Sequence, residues 1–422
     1  MREFLFVYPS LSLGGIETFF VRLAKQFESN NIRLNFLFLF SEGGNDELKS
    51  ELSKHANIFY WDDLCLFGTV TGFAPRAKLF MPLKSGKLKE YFSSCEVVHV
   101  SCALTYFSAM RVFAALNAKV KIVFGVYHSN ELAWGKDDIP LYEKYFRKFI
   151  FEHNNLLLLF FNDPSRAITL EANHVTDVVS RTFPLGVELP LLPRKSQLKI
   201  ENSLRIVSVG RLAEFKTYNI FMLGVVSDLV RKGFNIQYDI YGSGPLRERM
   251  ASEIAKLDLK DKVLLQGDLS YALLDSTLRK YDVFIGSGTA LLHAAANGVP
   301  CITAIENEPS AKTYGFFSDL QGIDYHEQHS TYEKKNISDV LDRFSNMDDG
   351  ARVMLSEQHV NKSSVFSIEV CASNFLAAFE KAPFYRCSSV PFYIYMALFL
   401  KDEFVPRLLG KSSYRKKYDH IL

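Results

Sequence analysis

The 422-residue chain is short of several things, and each shortage removes a class of function. It has six cysteines, Cys65, Cys95, Cys102, Cys301, Cys371 and Cys387, and none forms a CxxC pair. That spacing suits neither a disulfide scaffold nor a zinc site, and it fits a reduced, cytosolic setting. No DxD triplet and no His/Cys/Asp cluster with ligand spacing occurs, so no metal cofactor is expected. No apolar run approaches the roughly 20 residues of a membrane span. The longest runs, such as LLLLFF at 156–161, have the length of a buried strand. The start, MREFLFVYPS, lacks the pattern of a signal peptide. Charge of one sign is lacking too. Lys and Arg number 49 against 47 Asp and Glu, so a nucleic-acid partner is not expected. No internal repeat or low-complexity tract stands out.

What is present is core. Hydrophobic residues make up 48% of the chain, with 36 Phe and 20 Tyr, which reads as a Phe-rich interior. The length exceeds one ordinary core, so two domains are expected. FLFVYPS (4–10) reads as a buried strand, LGGIETFFVRLAKQFESN (13–30) as a glycine turn opening an amphipathic helix, and RLNFLFLF (33–40) as the next strand. This β-turn-α-β opening is the unit of a parallel, doubly wound sheet. NIFYW, VVHV, VKIVFGVY and LLLLFF continue the series, with helical spacing at 107–118. The Pro-rich stretch RTFPLGVELPLLPRKSQ (181–197) reads as a linker. The β/α rhythm then restarts with strands at 204–210, 235–242 and 262–267, and a helix pattern recurs at 364–382. The expected division is an N-terminal Rossmann-like domain at 1–185, a second at 186–363, and a returning helix plus tail at 364–422. Ligands of such sheets sit at the carboxyl ends of the strands, here expected to face a central cleft.

Three stretches in the second half carry chemistry. In VGRLAEFK (209–216) a strand ends at Gly210, and Arg211 and Lys216 offer a planar fork and a point charge to a diphosphate. In YGSGPLRERM (241–250), Gly242 and Gly244 make a tight turn after a strand. In GSGTALLHAAANGVP (286–300), Gly288 and Thr289 open a helix whose free N–H groups favour an anion. Read alone, each also suits an ordinary surface pair or packing turn.

In this order, on one Rossmann-like half, the three resemble the motifs of the GT-B glycosyltransferases, most nearly the retaining group called family four or group 1. SLGGIETFF (12–20), GVYHSNE (125–131) and FPLGVE (183–188) resemble that group's glycine loop, strand-end histidine and entry into the second domain. The resemblance covers roughly residues 1–305. It implies an α/β GT-B fold of two tandem Rossmann-like domains. It implies transfer of a sugar from a nucleotide sugar to a glycan or lipid-linked acceptor, with anomeric configuration kept, as in bacterial surface polysaccharide synthesis. It assigns Arg211, Lys216, Gly288 and Thr289 to the diphosphate. Gly14 and Gly15 would let the first-domain loop approach donor and acceptor, Gly242 and Gly244 would shape the donor side, and His128 would reach the transferred sugar. Arg211, Lys216 and a helix dipole would neutralise the leaving diphosphate without a metal. His99, alternating into a strand, reads as structural.

The chain departs from the pattern at one pair of positions. The group carries two glutamates separated by seven residues, and neither is present here. The later place holds His293, which can bind one ribose hydroxyl but not as a bidentate acceptor. Glu306 and Glu308 are candidates to restore a carboxylate. Three functions remain open: an active transferase with a modified donor pocket, a non-catalytic relative that binds or scaffolds, and another GT-B enzyme such as a nucleotide-sugar epimerase. The tail pairs apolar PFYIYMALFL (391–400) with Arg407, Lys411, Arg415, Lys416 and Lys417. That composition suits peripheral contact with the inner face of an anionic membrane, or else a tail helix packed on the first domain with a solvated basic end.

Overall fold

The computed structural model describes residues 2–12, 14–42, 44–67, 75–128, 130–135, 138–153, 156–190, 204–326 and 331–408. Residues 191–197 of the expected linker and the basic end of the tail lie outside them. The chain divides into two units, Met1–Pro184 with Cys371–Leu422, and Leu185–Val370.

The first unit is built on β1 (Arg2–Tyr8), β2 (Ile32–Phe38), β3 (Ala56–Tyr60), β4 (Cys95–Val100), β5 (Lys119–Val126), β6 (Leu157–Phe160) and β7 (Ser180–Thr182). The second has β8 (Leu204–Val209), β9 (Ile236–Tyr241), β10 (Val263–Gly267), β11 (Val283–Gly286), β12 (Cys301–Ala304), β13 (Lys312–Phe316) and β14 (Lys335–Asn336). A last strand, β15 (Phe384–Arg386), joins the first sheet antiparallel to β5. The sheet orders are β3-β2-β1-β4-β5-β6-β7 and β10-β9-β8-β11-β12-β13-β14. Both follow the doubly wound pattern, in which strand order reverses beside the first strand. Pairing is parallel through most of each sheet. It turns antiparallel at β12–β13–β14, and residues 305–311 between β12 and β13 are too few for a crossover helix.

The residues explain the layers. Phe4, Leu5, Phe6 and Val7 are all buried, because helices cover both faces of β1. Leu5 and Val7 enter a core with Phe107, Phe113 and Phe124. Phe4 and Phe6 face the other way, where Phe379 meets Phe4 at 5.1 Å and Phe20 meets Phe6 at 5.6 Å between ring centroids. Phe379 lies on helix Ile368–Lys381. Its stripe Cys371, Ala372, Phe375, Ala378 and Phe379 is buried at helical spacing, which ties the C-terminal segment to the first unit.

His99 sits inside this aromatic packing, stacked on Phe6 at 4.5 Å with Nε2 3.2 Å from the Tyr127 hydroxyl. Burial pulls its pKa down to about 3, so it is neutral in the fold. PFYIYMALFL forms most of helix Val390–Phe399, with Phe392, Tyr395 and Met396 in the first unit's core. Sequence periodicity missed helix Asp349–Ser363 because its inner face is polar: Arg352, Ser356, His359 and Ser363 are all buried. All six cysteines are free thiols.

Candidate active site

In the second sheet the order reverses between β8 and β11, so the loops after these strands form the edge where such a sheet receives a ligand. β8 ends in Gly210, at φ +151°. Lys216 folds back over it, with Nζ only 3.1 Å from where a Cβ on Gly210 would stand. Arg211 is exposed beside it. Neither cation makes an ion pair among the described residues, so both charges remain available at the strand end.

β11 ends in Gly286, and Gly288, at φ +69°, caps helix Thr289–Ala296. No side chain caps that helix start and no acid lies in its first turn. Its own first turn therefore offers no anion to its leading N–H groups and positive dipole end. Arg211, Lys216, Gly288 and Thr289 thus come together at one switch point, on strands that are neighbours in the sheet.

Gly242 and Gly244 stand one strand further out and have a packing reason of their own. A Cβ on Gly242 would fall 2.0 Å from the Gly210 carbonyl oxygen, and one on Gly244 would fall 2.4 Å from that of Leu212. The Leu212 N–H donates to the Ser243 carbonyl at 2.9 Å, locking the two loops together. These glycines shape the site by holding the Arg211 loop against the next one.

His293 lies one helical turn beyond Thr289 and is buried. Its Nδ1 is 3.6 Å from Asp275 Oδ1, ion-pair distance rather than hydrogen-bond distance. Asp275 also accepts from Asn297 Nδ2 at 2.9 Å, and Arg279 Nε donates to Asn297 Oδ1 at 2.7 Å. Partial burial pushes the Asp275 carboxyl up. The neighbouring imidazole, Asn297 and Arg279 outweigh that and hold it below the ordinary carboxylate range. A carboxylate therefore stands behind the histidine that replaces one.

The two candidate acids beyond β12 part company. Glu306 accepts from Ser287 Oγ at 2.8 Å, inside the glycine turn itself. Glu308 instead takes Lys334 Nζ at 2.5 Å and Ser310 Oγ at 2.8 Å. Sequence reasoning missed both Asp275 and Ser287, since neither stands in a recognisable spacing with its partner. A cavity of about 410 Å³ opens at β13, β14 and helix Ile337–Ser345, lined by Lys312, Lys335, Asp339 and Arg343 among others. None of the expected site residues lines it.

The first unit's switch point, between β1 and β4, is built differently. Gly14 precedes helix Gly15–Ser29 in extended backbone. Glu17 folds back there: Ser12 Oγ donates to its Oε1 at 3.0 Å, and a Cβ on Gly14 would meet its Oε2 at 2.4 Å. The helix start beside Gly14 and Gly15 thus already holds a carboxylate. The Tyr8 hydroxyl is pushed up by burial and then by the acids Glu17, Cys102 and Glu131. His128 follows β5, and its Nδ1 accepts from the Asn130 N–H at 3.3 Å. A neutral ring held so carries its proton on Nε2, as a donor.

Two Rossmann-like units, the second with a cationic, glycine-lined edge suited to a diphosphate, define the GT-B class of fold. Comparison with known proteins agrees. Residues 193–312 match the family described as Glycosyl transferases group 1. The chain is 25% identical over 145 residues to the 2-deoxystreptamine N-acetyl-D-glucosaminyltransferase of Niallia circulans, covering 33% of this chain and 35% of that protein. It is 28% identical over 116 residues to Protein CapJ of Staphylococcus aureus, covering 25% and 29%. The chain thus spans about a third of the length of the curated relatives it matches. Among solved structures, a mutant of TarM from S. aureus, in complex with fondaparinux, alpha-GlcNAc-glycerol and UDP, superposes with TM-score 0.62. That match has 11% identity and covers 90% of this chain and all of that one. The resemblance read from the motifs therefore holds for the fold and, by sequence, for residues 193–312.

Proposed function

We propose that the protein is a glycosyltransferase that moves a sugar from a nucleoside-diphosphate sugar to a glycan or lipid-linked acceptor, with retention, in the assembly of a bacterial surface polysaccharide. The observation that carries this reading is the second unit's switch point, where an uncapped helix start meets two cations that make no ion pair among the described residues. A leaving nucleoside diphosphate develops negative charge as the glycosidic bond breaks. Preorganised positive groups stabilise that charge more in the transition state than in the ground state. Lys216 Nζ and the Arg211 guanidinium hold the phosphate oxygens, and the N–H groups at Gly288–Thr289 complete the grip. His293, backed by Asp275, binds a ribose hydroxyl. His128 donates from Nε2 to the transferred sugar.

The UDP bound by the TarM mutant and the N-acetyl-D-glucosaminyl group in the name of the Niallia relative support UDP-N-acetylglucosamine as the first donor to try. The positive groups at the site supply the countercharge themselves, so transfer persists in chelator. Donor and free thiols together fit a cytoplasmic setting. The test is UDP binding by titration calorimetry. Arg211→Ala is expected to weaken it about tenfold to a hundredfold, the value of one charged hydrogen-bonding group. Indistinguishable affinities for wild type and variant would refute the site. UDP binding without transfer to any acceptor would favour the non-catalytic relative.

A further inference from the structure

The cavity of about 410 Å³ beside β13 and β14 takes apolar surface from Phe316 and Val340 and is ringed by charged side chains. Its form starts from Gly315. At φ +103° that residue kinks β13, and the register to β12 slips between Thr313 and Phe316. Lys335 lies across the glycine, with Nζ 3.5 Å from where a Cβ would stand. Arg343, on helix Ile337–Ser345, reaches back over the Phe316 ring, 5.8 Å from its centroid. Lys312 donates to Asn336 Oδ1 at 2.7 Å, a neutral partner that leaves its charge unbalanced. Of the cations lining the cavity, Lys334 is committed to Glu308 at 2.5 Å, whereas Lys312, Lys335 and Arg343 make no ion pair among the described residues.

These groups specify a ligand class. Lys312, Lys335 and Arg343 together suit more than one negative charge, and a phosphate monoester carries about −1.5 to −2 at neutral pH. Asp319 and Glu333 are exposed at the same cavity. Carboxylates repel a second phosphate and accept from hydroxyl groups. The volume lies toward the lower end of the roughly 300–1,000 Å³ of small-molecule sites.

Lys334 joins this cavity to the donor edge. Its partner Glu308 is buried and lies in the segment 305–311 between β12 and β13. Burial pushes the Glu308 carboxyl up, but Lys334 and Ser310, with Lys312 behind them, hold it below the ordinary carboxylate range. The same segment grips both loops of the donor site. The Thr217 hydroxyl donates to the Glu308 carbonyl at 2.7 Å, and the Asn307 N–H donates to the Phe215 carbonyl at 2.7 Å, on either side of Lys216. Glu306 holds Ser287, next to Gly288.

We propose that the β13–β14 cavity is a regulatory site for a sugar phosphate, and that its occupancy weakens nucleotide binding at the donor edge. Phosphate oxygens meet Lys312, Lys335 and Arg343, and sugar hydroxyls meet Asp319 and Glu333. The phosphate also draws Lys334 from Glu308. A buried carboxylate that loses its cation is costly, so the segment 305–311 gives up its hold on Phe215, Thr217 and Ser287. The coupling rests on the donor site as read above, whereas the binding does not. Coupling is reciprocal, so UDP weakens the sugar phosphate by the same factor.

The test is titration calorimetry of the full chain with glucose 1-phosphate, and with glucose and inorganic phosphate as its separate halves. Glucose 1-phosphate is expected to bind more tightly than either half. Lys335→Ala and Arg343→Ala are each expected to weaken it about tenfold or more, with UDP affinity and melting temperature kept. Arg211→Ala is expected to leave it unchanged. In wild type, UDP affinity is expected to fall about threefold to tenfold and then level off as glucose 1-phosphate saturates. In Lys335→Ala, at the same concentrations, it is expected to stay constant. No binding by wild type overturns the site. So does binding that survives Lys335→Ala and is lost in Arg211→Ala, which would assign the ligand to the donor edge. A UDP affinity that ignores glucose 1-phosphate, or keeps falling as with a simple competitor, overturns the coupling. Wild type that binds glucose 1-phosphate but no UDP upholds the cavity as a binding site and refutes the donor reading and the coupling with it.

Discussion

At the edge of the first sheet, the helix after β1 has its own acid folded against its start. At the same edge of the second, the helix after β11 starts on a bare glycine, with Arg211 and Lys216 beside it. The strand order is shared and the electrostatics are opposed. A doubly wound sheet supplies a place for a ligand, and its loops decide the ligand's charge. The first unit satisfies its helix dipole internally. The second has no acid in its own first turn, holds Glu306 through Ser287 just before the cap, and keeps beside it two cations that make no ion pair among the described residues.

The largest expected effect breaks the comparison at its foundation, the two cores. His99 is neutral in the fold, with its pKa near 3, whereas the unfolded chain takes up the proton around 6.5. Its contribution is therefore complete above pH 6.5 and declines as pH falls toward 3, because the unfolded state binds more protons across that window. The full loss is about 5 kcal/mol at 1.36 kcal/mol per unit. Burial also holds the His359 imidazole of the second unit below its ordinary value, giving that unit an acid limb of the same sign. His99→Gln is expected to flatten the acid limb of the first unit's unfolding, followed by circular dichroism against pH. An unchanged acid midpoint would exclude His99 as its cause.

A smaller effect sharpens the contrast between the glycines. Gly242→Ala drives a Cβ into the Gly210 carbonyl at a φ of +134°, where backbone has to move. It is expected to cost about 3 kcal/mol and to weaken UDP binding with it. Gly14→Ala meets only the far end of the flexible Glu17 side chain, at an extended φ that any residue adopts. It is expected to cost less than about 1 kcal/mol. Thermal melts of both variants check this, and equal losses would remove the distinction between a locked loop and a yielding one.

The smallest effect concerns the acid that stands behind His293. Asp275→Asn is expected to weaken UDP about threefold to tenfold, with His293→Ala similar and the double variant no worse than either, as for residues acting as one unit. Additive losses in calorimetry would mean that Asp275 does not act through His293.

The sequence determined the elements wherever one residue pattern met one environment. Phe4–Val7 had to be a strand covered on both faces, and GSGT after VFI had to turn into a helix start, because continuous burial and glycine φ leave few alternatives. Elements whose inner face is polar escaped that logic, as with Arg352, Ser356 and His359 on helix Asp349–Ser363. The site was legible to the same degree. Arg211, Lys216 and Gly288–Thr289 lie directly after strands and are placed by the strands themselves. Three things were left to tertiary structure: that Gly242 and Gly244 pack against the Arg211 loop, that Glu17 closes the first glycine turn, and that Asp275 backs His293. Each depends on a side chain or loop reaching a partner that sequence spacing does not specify. Local periodicity fixes where a residue sits along its element, and only packing fixes which residue of another element it meets.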